Sequence, residues 1–190
     1  MSRVNLPLAT EHALLGFLRQ RPRHGYEIHQ QLSDPTGLGL VWRLKQSQLY
    51  ALLAKLENED YVTTTIEYQD ARPPRKLFAL TETGREAFLN WIQQPVQQGR
   101  TLRLDFLAKL YFAQLEGPPV ALSLIERQRA ACRSWLLSQQ QEAEMLPDMP
   151  AFDWLVHQFR LCQIEAMLAW LDQCERVMIN TSQTMTPEGG

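Results

Sequence analysis

Three short clusters in this sequence carry side chains suited to holding phosphate and reading polar edges. His24-Gly25-Tyr26 is the first, Lys45-Gln46-Ser47-Gln48 with Tyr50 the second, and Arg72, Arg75 and Lys76 the third. Lys and Arg pair with phosphate, Gln suits bidentate pairing with adenine, and Ser is unselective. Gly25 permits a tight approach of backbone to DNA or to a neighbouring helix. A helix that starts there aims backbone N–H groups at an anion, and Tyr26 adds a hydroxyl. Each cluster also has a plain reading. A polar helix face is usually just solvated, and Tyr26 and Ile28 can simply pack a core.

Other chemistries are poorly served. Cys132, Cys162 and Cys174 are odd in number and lack CxxC spacing, so neither a disulfide framework nor a zinc site is expected. They read as reduced, mostly packed thiols of a cytoplasmic protein. His24 and His29 stand apart from any Cys or carboxylate pattern and read as a helix cap and a surface residue. There is no Gly-rich phosphate loop and no nucleophile elbow. No enzyme activity, metal or cofactor is expected.

The elements that must position these clusters follow from periodicity. Leu14, Leu15 and Leu18 recur at helical spacing until Arg21-Pro22 stops the helix. A second short helix starts near His24 or Gly25 and ends before Asp34-Pro35. Thr36-Gly37-Leu38-Gly39 reads as a flexible connection. Leu49, Leu52, Leu53 and Leu56 then follow i, i+3, i+4, i+7, and the second cluster lies on the opposite face. Tyr61 to Tyr68 is rich in β-branched and aromatic residues, Asp70 to Pro74 reads as a turn, and Lys76 to Leu80 returns as a strand. Thr81 caps a fourth helix, which Gly84 weakens and Pro95 ends. Helix, helix, helix and β-hairpin in this order is the winged helix-turn-helix plan. The fold class expected is mainly α with a small β-hairpin. A DNA-binding domain spans residues 1–94, a helical domain residues 95–180 and a flexible tail residues 181–190.

The N-terminal motifs resemble those of the PadR family of transcriptional regulators. Ala13-Leu14-Leu15-Gly16-Phe17-Leu18 resembles the family's first-helix run, and Arg23-His24-Gly25-Tyr26-Glu27-Ile28 its most recognisable signature. Ser47-Gln48-Leu49-Tyr50 with Leu53, Leu56 and Glu57 resembles its recognition helix. Arg75 to Gly84 resembles its second wing strand and the turn beyond, and Trp91 stands where members often carry Trp. Two departures are visible. Phe78 replaces a commoner Tyr, and Asp60-Tyr61 replaces a Gly before an apolar residue. The resemblance implies a repressor of transcription, bound to double-stranded DNA as a homodimer, with some members sensing flat aromatic compounds.

The bulk numbers neither demand nor forbid this. The 190 residues are 45% hydrophobic and 21% charged, with net charge -2. Residues 1–85 net +2 and residues 86–190 net -4, compatible with a basic reader joined to an acidic partner-binding half. No membrane span is visible.

The C-terminal half reads as helices Leu102 to Leu115, Val120 to Met145 and Phe152 to about Ile179. The last is apolar on two faces. Phe152, Val156, Phe159, Ala166 and Trp170 form one stripe, and Leu155, Leu161, Cys162, Leu168, Leu171 and Cys174 the other. One face can pack on its own chain, and a second copy is the cheapest cover for the other. Phe152, Leu155, Val156, Phe159, Cys162, Ala166 and Trp170 are the candidate dimerisation residues. Trp91, Trp135, Trp154 and Trp170 are candidates for an aromatic effector pocket, against the weightier reading that they pack a core or interface. A helical protein–protein interaction module without DNA binding is the alternative function.

Overall fold

The computed structural model describes residues 8–69, 72–145 and 149–184. They form two compact units. The first holds the described residues up to Gln93 together with Arg103–Phe112, and the second holds Gln94–Leu102 and the chain from Ala113 on.

The first unit contains helices α1 (Leu8–Leu18), α2 (Gly25–Ser33), α3 (Gln46–Asn58) and α4 (Glu82–Gln93). To these it adds strands β1 (Arg23–His24), β2 (Val62–Gln69) and β3 (Arg72–Leu80), and most of α5 (Leu102–Glu116). The sheet is antiparallel in the order β1-β3-β2. Strand β1 is only two residues long, Arg23 pairing with Phe78 and His24 with Leu77. Periodicity cannot reveal so short a strand, and the hairpin expected from sequence is therefore a three-stranded sheet. The buried Arg23 side chain donates from Nε to the Phe17 carbonyl at 2.8 Å, occupying an end-of-helix oxygen that lacks an intrahelical partner. Burial pushes its guanidinium below the ordinary value, and neighbouring Arg21 adds to the push.

The stretch Thr36–Gly39 is not the loose connection its glycines suggest. The Asp34 carboxylate accepts from both the N–H and the hydroxyl of Thr36. A 3₁₀ turn, Gly37–Leu40, follows and buries Leu38. Helix α3 buries Leu49, Leu52, Leu53 and Leu56, the four leucines of its apolar stripe. Full burial of each such side chain stabilises the fold by about 1.5–3 kcal/mol.

Asp60 ends α3 with φ at 60°, in the left-handed region. This is the position where the resemblance leads one to expect Gly. Asp tolerates that conformation better than most residues, so the departure keeps the turn. Strand β3 begins at Arg72, inside the segment expected to be a turn, and carries Pro73 and Pro74. Proline cannot donate to a ladder. It is tolerated here because β1 covers only Leu77 and Phe78, which leaves one side of β3 without a strand partner at the prolines. Asp70 and Ala71 lie outside the described residues.

Thr81 Oγ1 accepts from the Gly84 N–H at 3.0 Å and so starts α4. Gly84 is required by packing, because a Cβ there would stand 2.1 Å from the Tyr61 carbonyl oxygen. Within this unit Phe112 of α5 meets Phe17 and Phe88 edge-on, and Trp91 stacks on His12.

The second unit is built on α6 (Pro118–Met145) and α7 (Ala151–Thr184). His157, Ile164, Leu171 and Cys174 of α7 are buried, as are Ala121, Leu124, Ile125, Gln128 and Cys132 of α6. Arg129, itself buried, joins the helices by ion pairs to Asp172 at 3.1 Å and Glu175 at 2.6 Å, and also pairs with Glu126. Burial opposes its charge, but the hydrogen bonds to Glu175 and Glu126 hold its guanidinium above the ordinary value. The segment that follows α4 is clamped. Gln128 Oε1 accepts from the Val96 N–H at 2.6 Å, and Gln128 Nε2 donates to the Val96 carbonyl. Helix α7 runs five residues past Ile179, to Thr184, into the segment expected to be tail; residues 185–190 lie outside the described set. Burial raises the Cys132 and Cys174 thiols, the latter to about 11. Among the described residues no helix is long and apolar enough to cross a membrane.

Lys109 of α5 is buried, its ammonium 5.4 Å from the Trp91 ring. Burial lowers its pKa to about 8, with Asp105 pulling the other way. An unfolded lysine titrates near ~10.4. Between these two values the unfolded chain holds a proton that the folded chain has shed, so stability rises with pH across that window. The raised Cys132 and Cys174 thiols act in the opposite direction over the same range, so the effect is read as a difference: between pH 7.5 and pH 10, urea unfolding should show the unmodified protein gaining up to roughly 3 kcal/mol relative to Lys109→Met. An equal pH dependence in both proteins would refute the assignment.

Candidate nucleic-acid interface

The three polar clusters start from three different elements, and the first unit brings parts of all three together. His24, Gly25, Tyr26, Tyr50, Pro74, Arg75 and Lys76 line one recess of about 440 Å³. Helix α2 supplies its floor through Gly25. A Cβ there would lie 2.7 Å from the Tyr50 ring, so the glycine makes room for a neighbouring helix's aromatic side chain. Tyr26 and Tyr50 both remain exposed at the surface of the recess. The Tyr26 ring lies nearly parallel to that of His24, centroids 5.7 Å apart, and the Arg75 guanidinium sits 5.4 Å from the Tyr26 centroid. Lys76 keeps its ammonium 3.8 Å from Glu57 of α3.

Helices α2 and α3 begin with the same device. The His24 N–H donates to Glu27 Oε2 at 2.7 Å, and the Lys45 N–H donates to Gln48 Oε1 at 3.2 Å. In each case the residue three positions on satisfies a donor at the helix start. Burial works against the Glu27 charge, but the His24 N–H and Arg21 hold its carboxyl below the usual carboxylate range. This arrangement changes the reading of Gln48. One lone pair of its carbonyl oxygen is engaged in capping α3, which turns the amide toward the helix start. Lys45, Gln46 and Ser47 are exposed at the start of α3 but do not line the recess. Arg72 opens β3 opposite Gln69, and its side chain lies outside the described residues.

Sequence reasoning missed two contributors. Pro74 lines the recess from within a presumed turn. Glu67 of β2 reaches His24 Nε2 at 3.2 Å. Strand alternation would have put Glu67 on one face with Thr65 and Gln69, but no spacing in the sequence ties it to His24.

The four tryptophans fall in two units. Trp91 is packed with Phe88 and Phe112 in the first unit. In the second unit Trp135 lines a pocket whose lining includes neither Trp154 nor Trp170. Of the candidate dimerisation residues, Phe152, Leu155 and Phe159 are exposed at 74%, 57% and 66%. Cys162 and Ala166 are exposed too, while Val156 and Trp170 are half-buried. Leu155 and Cys162 thus share the outer face of α7, and Leu171 and Cys174 lie on the inner one.

Residues 14–90 match the family model described as transcriptional regulator PadR-like. Over that segment the chain is similar to the PadR-like family. Residues 102–178 match a second model, virulence activator alpha C-term. The chain is 30% identical over 123 residues to the negative transcriptional regulator PadR of Bacillus subtilis (strain 168), spanning 64% of this chain and 60% of that protein. It is also 30% identical over 93 residues to a probable transcriptional regulator of Mycobacterium tuberculosis, spanning 49% of this chain and 48% of that one. The matched segment therefore covers less than two thirds of either relative. A crystal structure of Bacillus subtilis PadR in complex with operator DNA superposes with a TM-score of 0.47 at 24% identity, over 91% of this chain and 99% of that one.

Gly25→Ala tests the construction of the recess. The added methyl must displace the Tyr50 ring, which is half exposed and free to swing outward. Thermal unfolding should change by no more than about 1 kcal/mol, while Tyr50 fluorescence anisotropy (measured with Tyr50→Phe as reference) should report a looser ring. A large loss of stability would show that Tyr50 is fixed by packing instead.

Proposed function

We propose that this chain is a DNA-binding transcriptional regulator, acting as a repressor on a palindromic operator and working as a homodimer in the cytoplasm. One observation carries the reading. Tyr26, Tyr50, Arg75 and Lys76 come from α2, α3 and β3, and they share one recess beside the exposed Lys45-Gln46-Ser47 start of α3. A helix start, a recognition-helix face and a basic wing side by side are what a groove and its flanking phosphates require.

In this reading Lys45, Tyr26, Arg72, Arg75 and Lys76 hold phosphates, and Gln46 and Ser47 reach base edges. The outer stripe of α7, Phe152, Leu155, Phe159, Cys162 and Ala166, seats the second copy. Its spacing of three and four residues makes one continuous apolar seam, which solvent disfavours. A two-fold dimer presents two recognition helices to half-sites about one helical turn apart.

The effector is a small aromatic molecule, and we place it in the second unit. A pocket of about 540 Å³ there has Trp135, Ile164 and Met167 on its apolar side and Arg100 and Arg160 on its polar side. Two guanidiniums beside an indole favour a flat acid over a neutral ring.

Selecting bound DNA from a random pool should return a palindrome. Arg75→Ala with Lys76→Ala should weaken binding and reduce the salt slope by about 2. If the unmodified protein shows no salt-sensitive DNA binding, the regulator reading fails and a protein-only interaction module takes its place. Titrating aromatic acids while following tryptophan fluorescence and operator release tests the pocket. The response should vanish in Trp135→Phe with Arg160→Gln, and a response unaltered there would refute this location.

A further inference from the structure

Both ring nitrogens of His24 face oxygens that can only accept. Nδ1 lies 3.0 Å from the Lys76 carbonyl oxygen, and Nε2 lies 3.2 Å from Glu67 Oε2. A neutral imidazole has one N–H. It can satisfy one of these acceptors and must turn a lone pair toward the other. Only the imidazolium donates to both.

The two acceptors sit on different strands, β3 and β2, while the backbone N–H of His24 is bonded to Glu27 of α2. One residue thus ties the start of α2 to both strands of the wing. Its ring also lies against Tyr26, which carries the Arg75 guanidinium.

We propose that His24 is a positioning residue for DNA binding and not itself a DNA contact: its imidazolium latches the wing to α2 and so sets Tyr26 and Arg75. This inference rests on the DNA-binding reading above. The charged and titratable groups around the ring are Glu67 from β2, Lys76 and Arg75 from β3, and Glu27 and Tyr26 from α2. Glu27 is committed to the His24 backbone and Arg21, and Lys76 directs its ammonium to Glu57. Tyr50 of α3 lines the same recess. Among the described residues, Glu67 is therefore the one carboxylate in contact with the ring. Loss of the ring's second proton removes one of the two tethers and loosens the wing.

The discriminating variant is Glu67→Gln. A glutamine amide can accept from an N–H or donate to a bare ring nitrogen, so it serves both forms of His24. Operator affinity of the full chain, measured from pH 5.5 to 8.5, should fall about tenfold as one charge-assisted bond is lost. Glu67→Gln should keep its affinity at high pH and give a flat profile, and His24→Gln should also be flat. If His24 touched phosphate directly, Glu67→Gln would keep the wild-type slope, and that result overturns the proposal. Glu67 is partly exposed, so this arm survives even if His24→Gln folds poorly. A second readout needs no DNA. In ¹⁵N NMR of the free protein, the amides of Glu67 and Leu77 (whose N–H follows the Lys76 carbonyl) should shift with the same midpoint as the His24 ring. Their indifference to that titration would overturn the latch. Absence of DNA binding at every pH would instead sink the regulator reading while the ring titration stood.

Discussion

Arg23 and His24 form a ladder of two residues with Leu77 and Phe78, and one of the wing's ties to the helices passes through it. A two-stranded hairpin is marginally stable in water by itself. Strands β2 and β3 would be such a hairpin without β1. The two residues of β1 also face opposite ways. The Arg23 side chain runs back to the Phe17 carbonyl at the end of α1, and the His24 side chain runs forward to Lys76 and Glu67. A strand too short to count as a structural element thus fixes where the basic wing stands against the start of α2.

The polar side chains of the first unit divide into those that build the recess and those left for a ligand. Glu27 and Gln48 are spent on helix starts, and Glu57 holds Lys76. Tyr26, Lys45, Gln46, Ser47, Tyr50 and Arg75 stay at the surface. The division follows from the burial of backbone donors. A helix start near a packed surface must find acceptors for its N–H groups, and a side chain three residues on is the nearest source. Residue type alone does not say which polar side chains are consumed in this way, and Gln48 is the example.

Much of the fold was legible because helices declare themselves by period. The Leu49, Leu52, Leu53, Leu56 stripe marked α3, Pro22 and Asp34-Pro35 bounded α2, and Gly117-Pro118-Pro119 separated α5 from α6. The three polar clusters were legible by type and by resemblance to the PadR family. What stayed hidden depends on contacts between residues distant in sequence. Arg129 and Gln128 look like solvent-facing residues of a long helix. They are buried because Asp172, Glu175 and the Val96 backbone meet them there. Pro73 and Pro74 looked like a turn because the sequence does not show that β1 stops short of them. The tryptophans were a candidate cavity beside the weightier reading as packing, because helical periodicity does not say which positions on different helices meet at a common point.

The chain crosses between its two units three times. It leaves the first at Gln94, returns at Arg103, and departs for good at Ala113. The return is not ornamental, since Phe106 and Phe112 are both buried and Phe112 packs on Phe17 and Phe88. No single cut therefore releases the first unit intact. A ribosome must deliver α5 before the first core can close, and a recombination event joining this unit to another domain would need its junction after Phe112, carrying the clamped Val96 segment along as a passenger.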